Sequence, residues 1–180
     1  MTNVIWHVAM SLDGFIAGPD DAMDWIFEYQ DPNAIVDDIV KTTGAILAGR
    51  RWYDLAIARW NGVKGIYGGA WSGPVFVLTH RPAAAPADAA ITFVSDGINK
   101  AVALALAGAR GKSVVLFGST IPQQCLDAHL VDEIVIHLAP VLLGDGIRLH
   151  GGPGVGAVKL KRTAVAESGQ LTDLRFQVVK

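Results

Sequence analysis

Cysteine is almost absent from this chain. Cys125 stands alone, which excludes an internal disulfide and a paired-cysteine metal site and fits a reducing compartment. Charge is scarce as well: 18% of the residues are charged, and 15 basic against 17 acidic side chains leave a formal net charge of −2. That balance gives no overall pull towards nucleic acid or an anionic membrane, so any anion site has to be local. No apolar run reaches the roughly 18 residues needed to span a bilayer. The opening MTNVIWHVAM lacks the basic start and longer apolar core of a signal peptide. We expect a cytoplasmic protein with no membrane or nucleic-acid partner, folded as one domain over residues 1–180.

Familiar catalytic signatures are missing too. The five histidines (7, 80, 129, 137 and 150) show no metal-ligand spacing, so no metal is expected. Gly111-Lys112-Ser113 carries the end of a phosphate-binding loop, but Leu106 stands where its first glycine belongs. GGPGVG has neither the spacing nor the strand-to-helix setting of a dinucleotide fingerprint, and no Gly-x-Ser-x-Gly elbow occurs. His7 and His137 lie inside apolar strands and read as core histidines.

What is present is an alternation of apolar runs with helical patterns. VIWHVAM reads as a first strand and SLDGFIAGPDD as the loop leaving it. Asp31-Pro32 opens a helix through AIVDDIVKTT, with Ile35, Ile39 and Val40 on one face and Gly44 ending it. AILA is the next strand, followed by a helix from about Arg51 to Ala58 and a Gly/Trp-rich loop. PVFVLTHRP is a strand closed by Pro82, and ITFVS another. Ser95 or Asp96 caps an Ala-rich helix to about Gly108. SVVLFGS, the helix IPQQCLDAHL, the run DEIVIHLAPVLLG and two long strands joined around Glu167–Gln170 complete the chain. Strands alternating with helices predict an α/β fold: a mixed, mostly parallel central sheet flanked by helices, with a C-terminal antiparallel hairpin.

In such sheets ligands bind beyond the carboxyl ends of the strands. Three apolar strands end in polar or glycine-rich turns: LAGRR, VLTHR and LFGST. Gly49 and Gly118 each stand between a strand and a helix, where a missing Cβ and free N–H groups suit a phosphate. Ser119 and Thr120 add hydroxyl donors. Arg50 and Arg51 add guanidinium forks, and Thr79, His80 and Arg81 form a second donor cluster. Together these exceed what one pyrophosphate needs, and the extra phosphate of NADPH accounts for the surplus.

The same stretches carry a resemblance. HVAMSLDGFIAG, AILAGRRWYD, VFVLTHRP and VVLFGSTIPQQCLDAHLVDEIVIHLAPVLLGDG, in that order, resemble the dihydrofolate reductase superfamily. They most resemble its bacterial branch related to the reductase domain of riboflavin biosynthesis. The resemblance implies a dihydrofolate-reductase-like fold, an NADPH cofactor, a small-molecule substrate and a homodimer. It implies that Ala9 and Ile16 border the nicotinamide, and that Gly49, Arg50 and Arg51, joined by Thr79, His80 and Arg81, hold the phosphates. Gly118, Ser119, Thr120 and Ile121 meet the pyrophosphate at a helix start. Ser119 replaces the second glycine of the family's usual pair.

The implied reaction is hydride transfer to a small heterocycle, either a riboflavin-pathway aminopyrimidine or a dihydropterin. It needs a proton donor. Folate reductases place a carboxylate at the start of the helix before AILAGR, and the ungapped count from Gly49 lands on Asn33. Asp31 is the first candidate and Asp13 the second, with Asp24, Glu28 and Asp37 as further options. The competing readings are a catalytically silent NADP-binding protein and a structural module with an empty cleft.

Overall fold

The computed structural model describes residues 2–60, 62–81, 88–152 and 154–180; the expected strand-closing Pro82 lies outside them. In chain order the elements are β1 (Val4–Ser11), β2 (Phe15–Ala17), α1 (Ala34–Thr42), β3 (Thr43–Gly49), α2 (Arg50–Arg59), β4 (Val75–Leu78) and β5 (Ile91–Val94). They continue with α3 (Ile98–Gly108), β6 (Ser113–Phe117), α4 (Thr120–Asp127), β7 (Glu133–Ala139), β8 (Ile147–Arg148), β9 (Leu160–Ser168) and β10 (Leu171–Val178). Eight strands form one sheet in the order β5-β4-β3-β6-β1-β7-β10-β9. The first six in that order are parallel, whereas β10 runs antiparallel to β7 and β9 antiparallel to β10. This is the mixed, mostly parallel architecture with a terminal hairpin that the alternation predicts.

The central strands are buried on both faces, so they read as unbroken apolar runs. Ala45 to Ala48 and Val75 to Leu78 are all buried. One face of the sheet packs Trp6, Leu47, Leu116, Ala101, Ala105 and Ile121 beneath α3 and α4. The opposite face packs Ile5, Ile46, Val77, Val115 and Val135 against Ile39 of α1, Tyr53 of α2, and Ile66 and Trp71 of the following turn. His7, His137 and Asp173 share the phase of this second face, because side chains alternate along a strand.

Several boundaries differ from the sequence reading. Asn33, rather than Asp31-Pro32, opens α1: its side-chain oxygen accepts from the N–H groups of Ile35 and Val36. Gly44 does not end that helix. It lies in β3, where a Cβ would run into the backbone of Ala109 at the end of α3. Neither Ser95 nor Asp96 caps α3; Gly97, at φ +84°, occupies the N-cap with no side-chain bond. The loop after β1 also contains a strand, since β2 pairs with the two-residue β8. Elements of two or three residues are too short to carry a periodic signal. Among the described residues no helix is long and apolar enough to cross a membrane.

Candidate active site

A cleft of about 1110 Å³ opens where β1, β3 and β6 end. Its walls come from β1 and β2, the segment leading into α1, the starts of α2 and α4, and the Gly62–Gly69 turns. Gly49 is the N-cap of α2 and Ser119 that of α4, and neither helix has a side-chain cap. Both therefore present unpaired N–H groups and a partial positive charge towards the cleft. Gly118 sits at φ +86°, a conformation that favours glycine. Gly49 has an additional reason to be glycine: a Cβ there would lie 3.3 Å from Ile121 Cγ1, so its absence lets α4 close on β3.

The expected cofactor residues fall into two groups. Ala9, Ile16, Gly49, Arg51, Gly118, Ser119, Thr120 and Ile121 all line the cleft. Arg51 stands at the rim, donating through Nε and Nη2 to Asp21 Oδ2 at 2.8 and 2.6 Å, with its side chain 74% exposed. The others lie beyond that lining, at the neighbouring strand end. Arg50 donates to Asp54 and to the Arg81 carbonyl, at 2.8 and 3.0 Å, and stacks beside Tyr53 and Phe93. Thr79 Oγ1 accepts from the Arg81 N–H in a local turn, leaving His80 and Arg81 exposed.

The two candidate carboxylates differ sharply. Asp31 borders the cleft, exposed, and packs on the hairpin turn so closely that a side chain at Gly169 would run into its carboxylate. Asp13 lies outside the cleft lining. Its carboxylate accepts from Ser11 Oγ and from the N–H groups of Leu143 and Gly144, pinning the β1–β2 turn to the loop after β7. Those bonds, led by the one from Ser11, hold its pKa down at about 2. An acid so fully bonded is a loop clamp.

The sequence reading missed a polar row inside the cleft. Tyr67 Oη lies 2.7 Å from His7 Nδ1, and His7 Nε2 lies 2.6 Å from His137 Nε2. His137 Nδ1 lies 2.5 Å from Asp173 Oδ1. Asp173 is fully buried, and its carboxylate also accepts from Asn33 Nδ2 at 3.1 and 3.0 Å and from Ser168 Oγ at 2.6 Å. Strand register builds this row. His137 stands directly opposite Asp173 on β10 and beside Ala9 on β1, one inward position beyond His7. In LTDLRF, Asp173 shares its phase with Leu171 and Arg175, so the sequence alone reads that phase as polar; only the fold shows that Asp173 is buried and needs partners. His7, Tyr67, Asn33 and His137 all line the cleft.

Burial first, then the positive charges of His137 and Arg175, hold His7 well below the ordinary histidine value of 6.5. Burial pushes the Tyr67 phenol upward. Among the described residues no group of three or more His, Cys, Asp or Glu side chains is placed to hold a metal ion.

Comparison with known proteins fits this geometry. The family model described as the RibD C-terminal domain matches residues 2–172. YwjB, an uncharacterized protein of Bacillus subtilis (strain 168), is 26% identical over 182 residues, covering 96% of this chain and 95% of its own length. A Shewanella sp. PV-4 protein provisionally assigned to riboflavin biosynthesis superposes with a TM-score of 0.82 at 22% identity, over 99% of this chain and 100% of that one. A diaminohydroxyphosphoribosylaminopyrimidine deaminase/5-amino-6-(5-phosphoribosylamino)uracil reductase of Thermotoga maritima superposes with a TM-score of 0.68 at 16% identity. That match covers 99% of this chain and 57% of that enzyme.

Proposed function

The chain belongs to the RibD C-terminal domain family, and from that premise we propose that it is an NADPH-dependent reductase of a small heterocyclic substrate. The observation that carries this reading is the pair of uncapped helix starts, α2 and α4, opening on one cleft. Two partial positive charges and a row of free N–H groups suit a pyrophosphate. The residues present therefore fit a phosphorylated dinucleotide. Gly49, Gly118, Ser119, Thr120 and Ile121 would hold its pyrophosphate, with Arg51 at the rim. Ala9 and Ile16 would border the nicotinamide. Arg50, Thr79, His80 and Arg81, along the adjoining strand end, would face the adenosine phosphate.

When bound, the cofactor supplies the hydride. The chain's own contribution is to orient the reacting rings, exclude water and provide a proton. Asp31 is the proposed cleft-rim carboxylate; Asp13 was the second candidate and holds a loop instead. The proposed substrate is an aminopyrimidine such as 5-amino-6-(5-phosphoribosylamino)uracil, a choice that family membership supports, or a dihydropterin. A cytoplasmic location and a homodimer belong to the same proposal.

Thermal melting with NADPH, with NADH and without ligand tests the cofactor. At about 100 times its dissociation constant a ligand stabilises by roughly 2.7 kcal/mol. For a domain of this size that is a shift of about 5–10 °C. The reading expects such a shift with NADPH and a smaller one with NADH. No shift with either removes the reductase assignment; binding without turnover favours the silent NADP-binding alternative.

A further inference from the structure

We propose that Asp173, His137, His7 and Tyr67 form a one-ended proton store whose outlet is the Tyr67 hydroxyl in the cleft, so that Tyr67 protonates the substrate. This rests on the reductase reading and goes beyond it, naming a donor other than the cleft-rim carboxylate.

The bonding pattern fixes how the row carries a proton. A carboxylate only accepts, so His137 Nδ1 donates to Asp173. The 2.6 Å gap between the two Nε2 atoms has room for one proton, so one ring donates and the other accepts. Loaded, His137 is an imidazolium donating through Nε2 to His7, and His7 donates through Nδ1 to Tyr67. That leaves the phenolic proton pointing into the cleft. Unloaded, every bond reverses except the one to Asp173: Tyr67 donates to His7, and His7 to His137.

Discharge moves three protons one step each. The Tyr67 O–H bond breaks as a bond from that proton to the substrate nitrogen or oxygen forms. The His7 Nδ1 proton passes to Tyr67, and the His137 Nε2 proton passes to His7. The bound cofactor would supply the hydride, the row supplies one proton, and His137 loses its positive charge. No phenolate is left behind. Burial disfavours a charged Tyr67, and reprotonation from His7 in the same event avoids one.

The store has one door. Asp173 is fully buried and closed off by Asn33 and Ser168, so loading also occurs through the cleft. The loop is built to present Tyr67. It holds this residue at φ +52°, left-handed and unusual for a tyrosine, followed by Gly68 and Gly69 at +64° and +87°. A non-glycine residue persists in that conformation only where the surroundings over-determine it. The ring stacks on that of His7 at an inclination of 27°, with centroids 5.6 Å apart, and meets Phe117 edge to face.

Other charges bear on the store. Tyr67 faces His7 from the turn and His137 from β7. Asp173 and Arg175 act from β10, Arg175 being paired with Asp38 of α1 and Glu133 of β7 at 3.1 and 2.7 Å. Asp31 and Asp37 stand at the cleft rim.

The experiment has three arms, on wild type, Tyr67→Phe and His7→Gln. The first is NMR of the ligand-free protein with ¹⁵N-labelled histidine. The store expects the His7 Nδ1 signal to be displaced by Tyr67→Phe and the His137 Nε2 signal by His7→Gln. Either signal left unmoved overturns it. The second arm is the NADPH melting shift, expected to be equal in wild type and Tyr67→Phe. No shift in either overturns the reductase reading and the donor role together, while the first arm still reports on the store.

The third arm is single-turnover NADPH oxidation with 5-amino-6-(5-phosphoribosylamino)uracil and with dihydrofolate. Tyr67→Phe should slow it about 10²- to 10⁴-fold, the usual contribution of a general acid. An unchanged rate with intact NADPH binding overturns the donor role and leaves the reductase reading standing. NADPH binding with reduction of neither compound by the wild type counts against both the donor role and these substrates.

Discussion

Asn33 and Asp173 stand 140 residues apart in sequence and meet in the cleft wall, with the Asn33 amide nitrogen 3.1 and 3.0 Å from the two oxygens of Asp173. The same asparagine caps α1 through its amide oxygen. One side chain thus starts a helix and covers a buried charge. Asn33→Ala removes the cap, at about 0.5–2 kcal/mol, and leaves a buried carboxylate short of a donor, at about 1–3 kcal/mol. We expect a loss of about 1.5–5 kcal/mol in denaturant unfolding. Asn33→Asp keeps the cap but sets two carboxylates against each other. It should be stable only where one of them is protonated, so its stability should rise as pH falls, unlike that of the wild type.

Arg51 is the guanidinium of the arginine pair that lines the cleft, while Arg50 is braced by Asp54 and the Arg81 carbonyl. Arg51→Ala is expected to reduce the NADPH melting shift while leaving the unliganded melting temperature within about 2 °C, because exposed ion pairs contribute little. An unchanged NADPH shift would take phosphate binding away from Arg51.

The Asp13 clamp has a defined pH signature. Its carboxyl is held at about 2 in the fold against an ordinary 3.8. Its contribution is therefore complete above the ordinary value and is lost as pH falls from about 3.8 through about 2. Asp13→Asn should lack this part of the acid-side slope. Identical slopes for the two proteins would show that the loop is not held this way.

Gly169 sits at φ +58° in the hairpin turn, where a Cβ would strike the Asp31 carboxylate. Gly169→Ala is expected to cost more than about 1 kcal/mol through the unfavourable backbone alone. It should also displace Asp31 from the cleft rim. Circular dichroism melting checks the first effect, and the NADPH shift the second.

The sheet was legible because its central strands are buried on both faces, so VVLF and PVFVL announce themselves as continuous apolar runs. The glycine turns at Gly49 and Gly118 were legible because a strand running directly into a helix leaves a local signature. The polar row was not. His7 is flanked by Trp6 and Val8, His137 by Ile136 and Leu138, and nothing local distinguishes them from core. They meet Asp173 only through the register of three strands from distant parts of the chain. The start of α1 was misplaced for a related reason: Asp31 and Asn33 are both good caps, and the buried Asp173 helps select Asn33.

The position of Asp173 on β10 also bears on how the molecule is made. His7 and His137 leave the ribosome before the carboxylate that closes their row, which follows His137 by 36 residues. At about 5–20 residues per second that interval is roughly 2–7 s. Until β10 pairs with β7, His137 and Asn33 both lack the Asp173 carboxylate that they bond in the finished fold. A ribosome-bound chain can pair β1 with β7 while the far end of the polar row is still missing, so the row is the last part of the cleft wall to close.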